Sequence, residues 1–208
     1  MQGRRNPFVA QEGIPFLIVA LVLVWLAWRY LPHVWLPLPA AALIAAFLVF
    51  RDPVRAIPSS ALGIVSPVDG TIVDVDSISA GTLQGDAHRV VIRIDAMGTY
   101  TARSPIEGQV KSLASRAAGQ AVDYPTNALW IQTDEGDDVV MSFRGFPFRL
   151  APRSLVGYGE RLGQGQRCAY LRLARYVELH LPIASKIVAE KGRTVVAGAD
   201  LLGTVPHH

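Results

Sequence analysis

Side chains that could do acid–base chemistry are scattered along this chain of 208 residues. His88 could serve as a base, but a single histidine in a loop is more often solvated surface. His180 stands at an alternating strand position, where packing is the expected role. The acidic run at 134–138 has no EF-hand spacing, so a hairpin tip explains it better than a calcium site. None of these groups defines a reaction by itself.

Composition and motif content exclude several classes of protein. The single cysteine, Cys168, excludes an internal disulfide framework and a cysteine-built metal site. The chain has no H-E-x-x-H, P-loop or dinucleotide-binding fingerprint. Residues 52–208 carry 16 basic and 16 acidic side chains, which gives no general case for nucleic-acid binding. We therefore expect no metal site and no nucleic-acid partner.

One short motif with a carboxylate occurs twice. The pattern S-P-[VI]-[DE]-G stands at 66–70, with Asp69, and again at 104–108, with Glu107. It predicts an extended chain before the proline, a tight turn that closes on the glycine, and then a strand. A glycine-dense double turn at 157–165 is a third version. Paired turns of this kind suit a barrel-sandwich fold.

The elements that must position these turns are strands. From Ser66 onward the chain shows short β-branched runs bounded by Gly, Pro and Asp, and the run at 176–181 alternates with a period of two. No long amphipathic helix pattern competes with them. The pattern indicates a mainly β protein with a barrel-sandwich-like β domain, which is large enough to have its own core.

The first fifty residues have a different character. The runs at 13–28 and 34–50 are both apolar and uncharged. When it is extended to Leu31, the first run would span about 27 Å as a helix. The two runs predict an N-terminal transmembrane helical hairpin, with helices at about 14–31 and 34–50. The corresponding domains are a membrane hairpin at 1–51 and a β domain at 52–208.

Basic residues flank both ends of this hairpin. Arg4 and Arg5 precede it, and Arg51 and Arg55 follow it. The positive-inside rule therefore predicts that both ends, and with them the β domain, lie on the cytoplasmic side of the inner membrane. A cleaved signal peptide fits poorly, because the second apolar run would remain. A buried helical pair or a re-entrant loop is the other alternative.

The order of these features resembles the phosphatidylserine decarboxylase family, especially its short, archaeal-like branch. The F-R-D-P-x-R stretch stands at 50–55, and S-P-x-D-G stands at 66–70. The segment 103–110 resembles the family's N-R-x-P-V-x-G-x-V turn. The segment 171–182 resembles the family's stretch that ends in R-F-G-S-R-V-D-x-Y-L-P. The resemblance thus covers residues 50–200.

The resemblance implies a specific chemistry. Members of the family are pyruvoyl-dependent carboxy-lyases, in which a Gly-Ser bond cleaves itself and the serine becomes an N-terminal pyruvoyl group. Its ketone forms a Schiff base with the amine of phosphatidylserine and acts as an electron sink while carbon dioxide leaves. A nearby His and Asp would activate the serine and orient the base.

Two of the three family positions differ in this chain. The resemblance places the family's Asp at Asp69, its His at Tyr100 and its Gly-Ser pair at Ala174-Arg175. No Gly-Ser pair occurs anywhere in the sequence. A guanidinium cannot act as a nucleophile, and a phenol, with a reference pKa near ~10, is a poor base at neutral pH. We therefore predict no self-processing and no cofactor, and the sequence leaves open whether the chain is an enzyme.

The resulting expectation is a phosphatidylserine decarboxylase-related membrane protein of phospholipid (phosphatidylethanolamine) metabolism. Its partner would be a membrane phospholipid, bound through Arg175 and Arg103, and a homo-oligomer is left open. The alternatives are a non-catalytic lipid-binding or regulatory protein, and a membrane-anchored barrel-sandwich adaptor. An adaptor would carry a helical hairpin between its halves, and residues 111–130 are too few for a long one.

Overall fold

The computed structural model describes residues 8–58, 60, 62–79, 85–113, 128–145 and 150–206. It divides into two compact units, Met1–Val54 and Arg55–His208. The fold is mainly β, with 37% strand and 22% helix. This confirms the predicted class, a β fold preceded by two apolar helices. Residues 114–127, where most of an adaptor's hairpin would lie, are outside the described residues.

The N-terminal unit consists of two apolar helices and two short 3-10 turns. The turn η1 (Gln11–Gly13) precedes α1 (Ile14–Tyr30), and η2 (His33–Trp35) precedes α2 (Pro37–Phe50). Each α-helix has a proline in its first turn, where a missing N–H removes no intrahelical hydrogen bond. Backbone hydrogen bonds of 2.9 and 2.8 Å, from Ala10 N to Phe50 O and from Asp52 N to Phe8 O, join the two ends.

Apart from Arg29 in the last turn of α1, both helices are apolar on every side. Within α1 only Ala20 and Ala27 are buried, and α2 has no buried residue. The segments Gln11–Tyr30 and His33–Phe50 are 20 and 18 residues long, and length and composition alone would allow each to cross a membrane. A helix without a polar face is typical of a membrane span or of the interior of a large protein.

The β unit contains the described strands, all of which pair antiparallel. They are β1 (Gly63–Val65), β2 (Gly70–Ile78), β3 (Ala87–Ile94), β4 (Thr101–Arg103), β5 (Gly108–Leu113), β6 (Ala128–Gln132), β7 (Asp138–Arg144), β8 (Arg153–Ser154), β9 (Arg161–Leu162), β10 (Arg167–Tyr170), β11 (Tyr176–Pro182), β12 (Lys186–Ile187), β13 (Thr194–Val195) and β14 (Leu201–Thr204). The large sheet has the order β13-β2-β3-β11-β7-β6-β5-β9 as described, and two smaller sheets have the orders β1-β14-β12 and β4-β10-β8.

Alternate residues of the central strands form the core. In β11, Val177, Leu179 and Leu181 are fully buried, as the period of two predicts. Their neighbours Val90 and Ile92 in β3 are equally buried. Burial of each side chain of this size contributes about 1.5–3 kcal/mol. The core therefore fixes the register of β3 and β11, the strands that lead to the candidate site.

The repeated turn folds in the same way at both of its copies. The hydroxyl of Ser66 donates to the carbonyl of Val68 at 2.8 Å, and that of Ser104 donates to the carbonyl of Ile106 at 2.7 Å. Both serines are fully buried. Each hydroxyl therefore satisfies a carbonyl of its own turn that would otherwise be unpaired inside the protein. The sequence repeat is thus a structural repeat.

The two copies also bond to each other. Val65 N donates to Pro105 O, and Arg103 N donates to Pro67 O, both at 2.8 Å. A Cβ atom added at the glycine that closes either turn would collide with a backbone carbonyl of the neighbouring strand. The close approach of backbones explains why glycine ends each motif.

Candidate functional site

The three positions that the resemblance singled out lie at neighbouring connections of the β unit. Asp69 is in the turn between β1 and β2, Tyr100 is just before β4, and Arg175 is just before β11. Main-chain hydrogen bonds bring these connections together. Asp95 N donates to Asp69 O at 3.0 Å, and Ile94 N donates to Arg175 O at 2.8 Å. The end of β3 thus lies between the aspartate turn and the arginine loop.

Two further bonds complete the arrangement. Leu171 N donates to Tyr100 O at 2.9 Å, so the loop that contains Arg175 begins beside Tyr100. Thr99 N donates to the Oδ2 atom of Asp69, also at 2.9 Å. The β1–β2 turn, the β3–β4 loop and the β10–β11 loop therefore form one neighbourhood, which is the candidate site.

The carboxylate of Asp69 is bonded through both oxygens. Oδ2 accepts from Thr99 N and, at 3.0 Å, from the Arg55 guanidinium, while Oδ1 accepts from Ala197 N at 2.7 Å. Its side chain is only 14% exposed. Hydrogen bonds to a charged group typically contribute about 1.5–3 kcal/mol each. Asp69 is therefore a strong structural anchor for three segments that are distant in sequence.

Glu107, at the matching position of the second turn, has a different environment. Its side chain is 55% exposed and pairs with Arg161 at 3.1 Å on the surface. Exposed ion pairs of this kind contribute about 0–1 kcal/mol. The same motif therefore holds a buried anchor in its first copy and a surface carboxylate in its second.

Tyr100 faces an aromatic neighbour. Its ring lies 5.7 Å from that of Tyr170 in β10, with an angle of 42° between the planes. A tilted aromatic pair at this distance is favourable beyond the area it buries. Packing of the two rings fixes the direction of the Tyr100 side chain within the site.

The peptide bond between Ala174 and Arg175 is held on both sides. Ala174 is buried, and its N–H donates to Leu171 O at 3.1 Å. The N–H of Arg175 donates to Arg144 O at 3.1 Å, and its carbonyl accepts from Ile94 N. The bond therefore lies between the backbones at the ends of β3 and β7, while the side chain of Arg175 is exposed to solvent.

Arg103 lies in the interior. It is 2% exposed, and its guanidinium donates to Gly165 O at 3.1 Å. Its Cδ atom lies beside Gly198, where an added Cβ would be 2.9 Å away. The missing side chain at Gly198 therefore leaves space that this long side chain fills. This burial favours a structural role for Arg103 over the lipid contact that the sequence predicted.

The sequence did not reveal two ion pairs at the site. The sequence marks Arg55 as a charge that flanks the hairpin and as the end of the F-R-D-P-x-R stretch, but not as the partner of the Asp69 carboxylate. Arg144 lies 2.8 Å from Glu178, which is buried in β11. Burial raises the pKa of Glu178, but the nearby His180 ring and the Arg144 guanidinium outweigh it and hold that pKa below its usual value. The carboxylate of Glu178 between the apolar residues Val177 and Leu179 was the available signal in the sequence.

The two histidines and the acidic run that the sequence singled out have contacts typical of structural residues. His180 is buried in β11, 3.8 Å from Glu178, and His88 lies beside Ser77 at 3.0 Å. The acidic run forms the tip between β6 and β7, because Gln132 pairs with Asp138 across the hairpin. Among the described residues, no group of three or more His, Cys, Asp or Glu side chains could hold a metal ion.

The anchoring role of Asp69 is testable with its counterpart as control. Asp69→Ala should lower the free energy of unfolding by about 2 kcal/mol or more, because it leaves buried N–H donors unpaired. For a unit of this size the melting temperature should fall by about 4 °C or more. Glu107→Ala should change it by less than about 2 °C. Thermal unfolding of the full chain in detergent, followed by tryptophan fluorescence, measures both. Equal shifts for the two variants would contradict the role.

Comparison with known proteins identifies the family to which the chain belongs. No family model matches the chain. The phosphatidylserine decarboxylase proenzyme of Nitrosomonas europaea is 31% identical over 215 residues, which covers 95% of each chain. The corresponding proenzymes of Nitrosomonas eutropha and Aromatoleum aromaticum are 32% and 30% identical, with coverage of 95% and 97% of each chain.

A solved structure, the glucose permease IIA from Mycoplasma capricolum, aligns with 68% of this chain and 94% of its own. The TM-score is 0.45 and the identity is 17%, a likeness too distant to support an argument. The relatives that are at least 30% identical over nearly their whole length show that the chain belongs to the phosphatidylserine decarboxylase family, a family of phospholipid metabolism.

Proposed function

We propose that this chain is a membrane-anchored member of the family that remains one polypeptide and binds phospholipid without pyruvoyl chemistry. The observation that carries the proposal is the peptide bond between Ala174 and Arg175. On the correspondence proposed from the motifs, this is where family members cleave themselves. The residues at this bond do not fit a pyruvoyl group, because a guanidinium cannot supply the hydroxyl from which that group is made.

Self-processing also needs room and a base. A hydroxyl must attack the preceding carbonyl, a glycine lets the chain bend, and a base removes the proton. Ala174 instead adds a buried methyl group, and the amide of Arg175 is hydrogen-bonded to Arg144 O. Tyr100 is a phenol in contact with Tyr170. Both oxygens of Asp69 already accept hydrogen bonds, so this carboxylate acts as an anchor.

The first test is the intact mass of the purified full chain. We expect one polypeptide of 22.5 kDa, because an ordinary peptide bond is stable without a nucleophile. Denaturing mass spectrometry should show no fragment that begins at Arg175 and no carbonyl N-terminus that reacts with hydrazine. The triple variant Ala174→Gly, Arg175→Ser and Tyr100→His restores the family pattern and should produce a fragment that begins at residue 175. Cleavage of the unmodified chain at 174, or carbon dioxide release from phosphatidylserine, would refute the proposal.

The membrane anchor is the second part of the proposal. We assign residues 1–51 to a hairpin that spans the inner membrane and 52–208 to a β domain in the cytoplasm. The lengths and apolar surfaces of α1 and α2 support this assignment, since neither helix has a polar face. The basic residues at both ends of the hairpin support the orientation.

Reporter fusions test this topology. A reporter after residue 33 should lie on the side opposite to one at the C-terminus, because α1 alone would have crossed the bilayer. A reporter after residue 51 is the control and should match the C-terminal one, because both helices precede it. Activity on the same side at residues 33 and 208 would exclude the hairpin.

The third part is binding of an anionic phospholipid at Arg175. Its side chain is exposed beside the anchored turn, and no ion pair with it is present in the described part of the chain. A guanidinium presents several N–H donors in a planar fork, which matches the oxygens of a phosphate or carboxylate. Phosphatidylserine and phosphatidylglycerol both offer such groups, whereas the net charge of phosphatidylcholine is zero.

Arg175→Ala should weaken binding of short-chain phosphatidylserine about tenfold, as expected for loss of a charge-assisted contact. Native mass spectrometry of the full chain in neutral detergent, at stepped lipid concentrations, measures the affinity. Lys186→Ala is the matched control, because it removes an exposed charge from β12 in a different sheet. Equal affinity of the Arg175 variant and the control, or no binding by the unmodified chain, would count against this site.

A further inference from the structure

Three arginines and a tyrosine form an exposed row at the edge of the candidate site. Tyr176 begins β11, and it pairs directly with Arg93 of β3 on one side and with Arg144 of β7 on the other. Directly paired residues point to the same face of a sheet, with Cβ atoms about 4.5–5.5 Å apart. Arg175 adjoins this row. We call Arg93, Arg144, Arg175 and Tyr176 the basic row.

Two apolar tips lie next to the basic row. Met97 is in the loop that follows Ile94, and Leu173 is in the loop that precedes Arg175. The hydrogen bond from Ile94 N to Arg175 O holds these loops side by side. Met97 is 56% exposed and Leu173 is 46% exposed. Large apolar side chains at the tips of adjacent loops, beside arginines, form a surface with both apolar and cationic parts.

The charge of this surface is positive. Arg172 belongs to the same loop as Leu173, and its guanidinium donates to the carbonyl of Ala151. Among the described residues of these loops and strand ends, the carboxylates are Asp95, which is exposed, Glu178, which is buried and paired with Arg144, and Asp69, which is paired with Arg55. In the described part of this surface, Arg93, Arg172 and Arg175 therefore outnumber the one exposed carboxylate, Asp95, because Glu178 and Asp69 are each paired with another arginine. An anionic partner complements such a surface.

We propose that the basic row and its two tips dock onto the surface of an anionic phospholipid bilayer. The inference rests on the proposed membrane anchor and extends the lipid contact from Arg175 to a whole face. Arginines bind the phosphate layer of an anionic leaflet, while apolar tips enter the boundary between headgroups and acyl chains. The β unit begins at Arg55, only five residues after α2 ends, so an inserted hairpin tethers it near the bilayer in any orientation.

A single fluorescent label on the full chain in lipid nanodiscs tests the docking. Leu173→Cys carries an environment-sensitive dye, and Met97→Cys is a second, independent position. The native Cys168 does not compete for the dye, because it is fully buried and burial raises its pKa to about 12. Tyr158→Cys is the matched control, since Tyr158 is 78% exposed and lies beside β5, three strands from β11 in the sheet.

The expected result has two parts. In nanodiscs of phosphatidylcholine mixed with phosphatidylglycerol, dyes at 173 and 97 should shift to the blue and be quenched by spin-labelled acyl chains. The dye at 158 should not change. Arg93→Ala and Arg175→Ala should each weaken the response to phosphatidylglycerol about fivefold. Lys186→Ala and Lys191→Ala, which remove exposed charges elsewhere, should leave it unchanged.

Equal quenching at 173 and 158, or a response that does not depend on anionic lipid, would overturn the docking. Its failure is distinguishable from failure of the proposed function. If the tips stay unquenched while the full chain still binds short-chain phosphatidylserine and remains uncleaved, the docking inference alone fails. If that binding is also absent, the proposed phospholipid site fails with it.

Discussion

The Asp69 carboxylate accepts hydrogen bonds from two backbone amides and one guanidinium, and the geometry of the candidate site depends on it. Its partners Arg55, Thr99 and Ala197 come from three segments that are far apart in sequence. A mostly buried carboxylate is tolerated only when such donors replace its water. The same hydrogen bonds fix the positions of these three donors around the carboxylate. The β3–β4 loop, which carries Tyr100 and Met97, is bonded to this carboxylate through the amide of Thr99.

This anchoring gives the aspartate a structural role that does not depend on a catalytic one. A carboxylate that orients a base must have an oxygen directed at that base. Both oxygens of Asp69 are engaged by the scaffold, and the fold needs them whether or not a serine and a histidine are nearby. The scaffold alone therefore explains an aspartate at this position, whether or not the chain processes itself. Glu107 shows that the turn itself does not require a buried carboxylate, because the second copy forms with its acid in solvent.

Local patterns predicted the elements and the repeat, because they depend on properties of neighbouring residues. Apolar runs predicted α1 and α2, and alternation predicted β11 with Val177 and Leu179 inward. The contacts that make the site are non-local. Asp69 accepts a hydrogen bond from Ala197 N, which is 128 residues away, and no local pattern in either segment predicts this contact. The burial of Arg103 was equally unpredictable, because Gly198, which leaves space for it, and Gly165, whose carbonyl accepts its hydrogen bond, come from other turns.

Arg103 and Arg175 show how burial gives one residue type two different environments. Arg103 is almost fully buried and its guanidinium donates to the Gly165 carbonyl, so a lipid phosphate could reach it only after the turn opened. Arg175 has its main chain fixed by Arg144 and Ile94, while its guanidinium is in water. A cation of this kind exchanges water for a phosphate oxygen without disturbing the fold, and its fixed backbone limits the conformational entropy lost on binding. Only the second arrangement can contribute favourably to binding at a membrane surface.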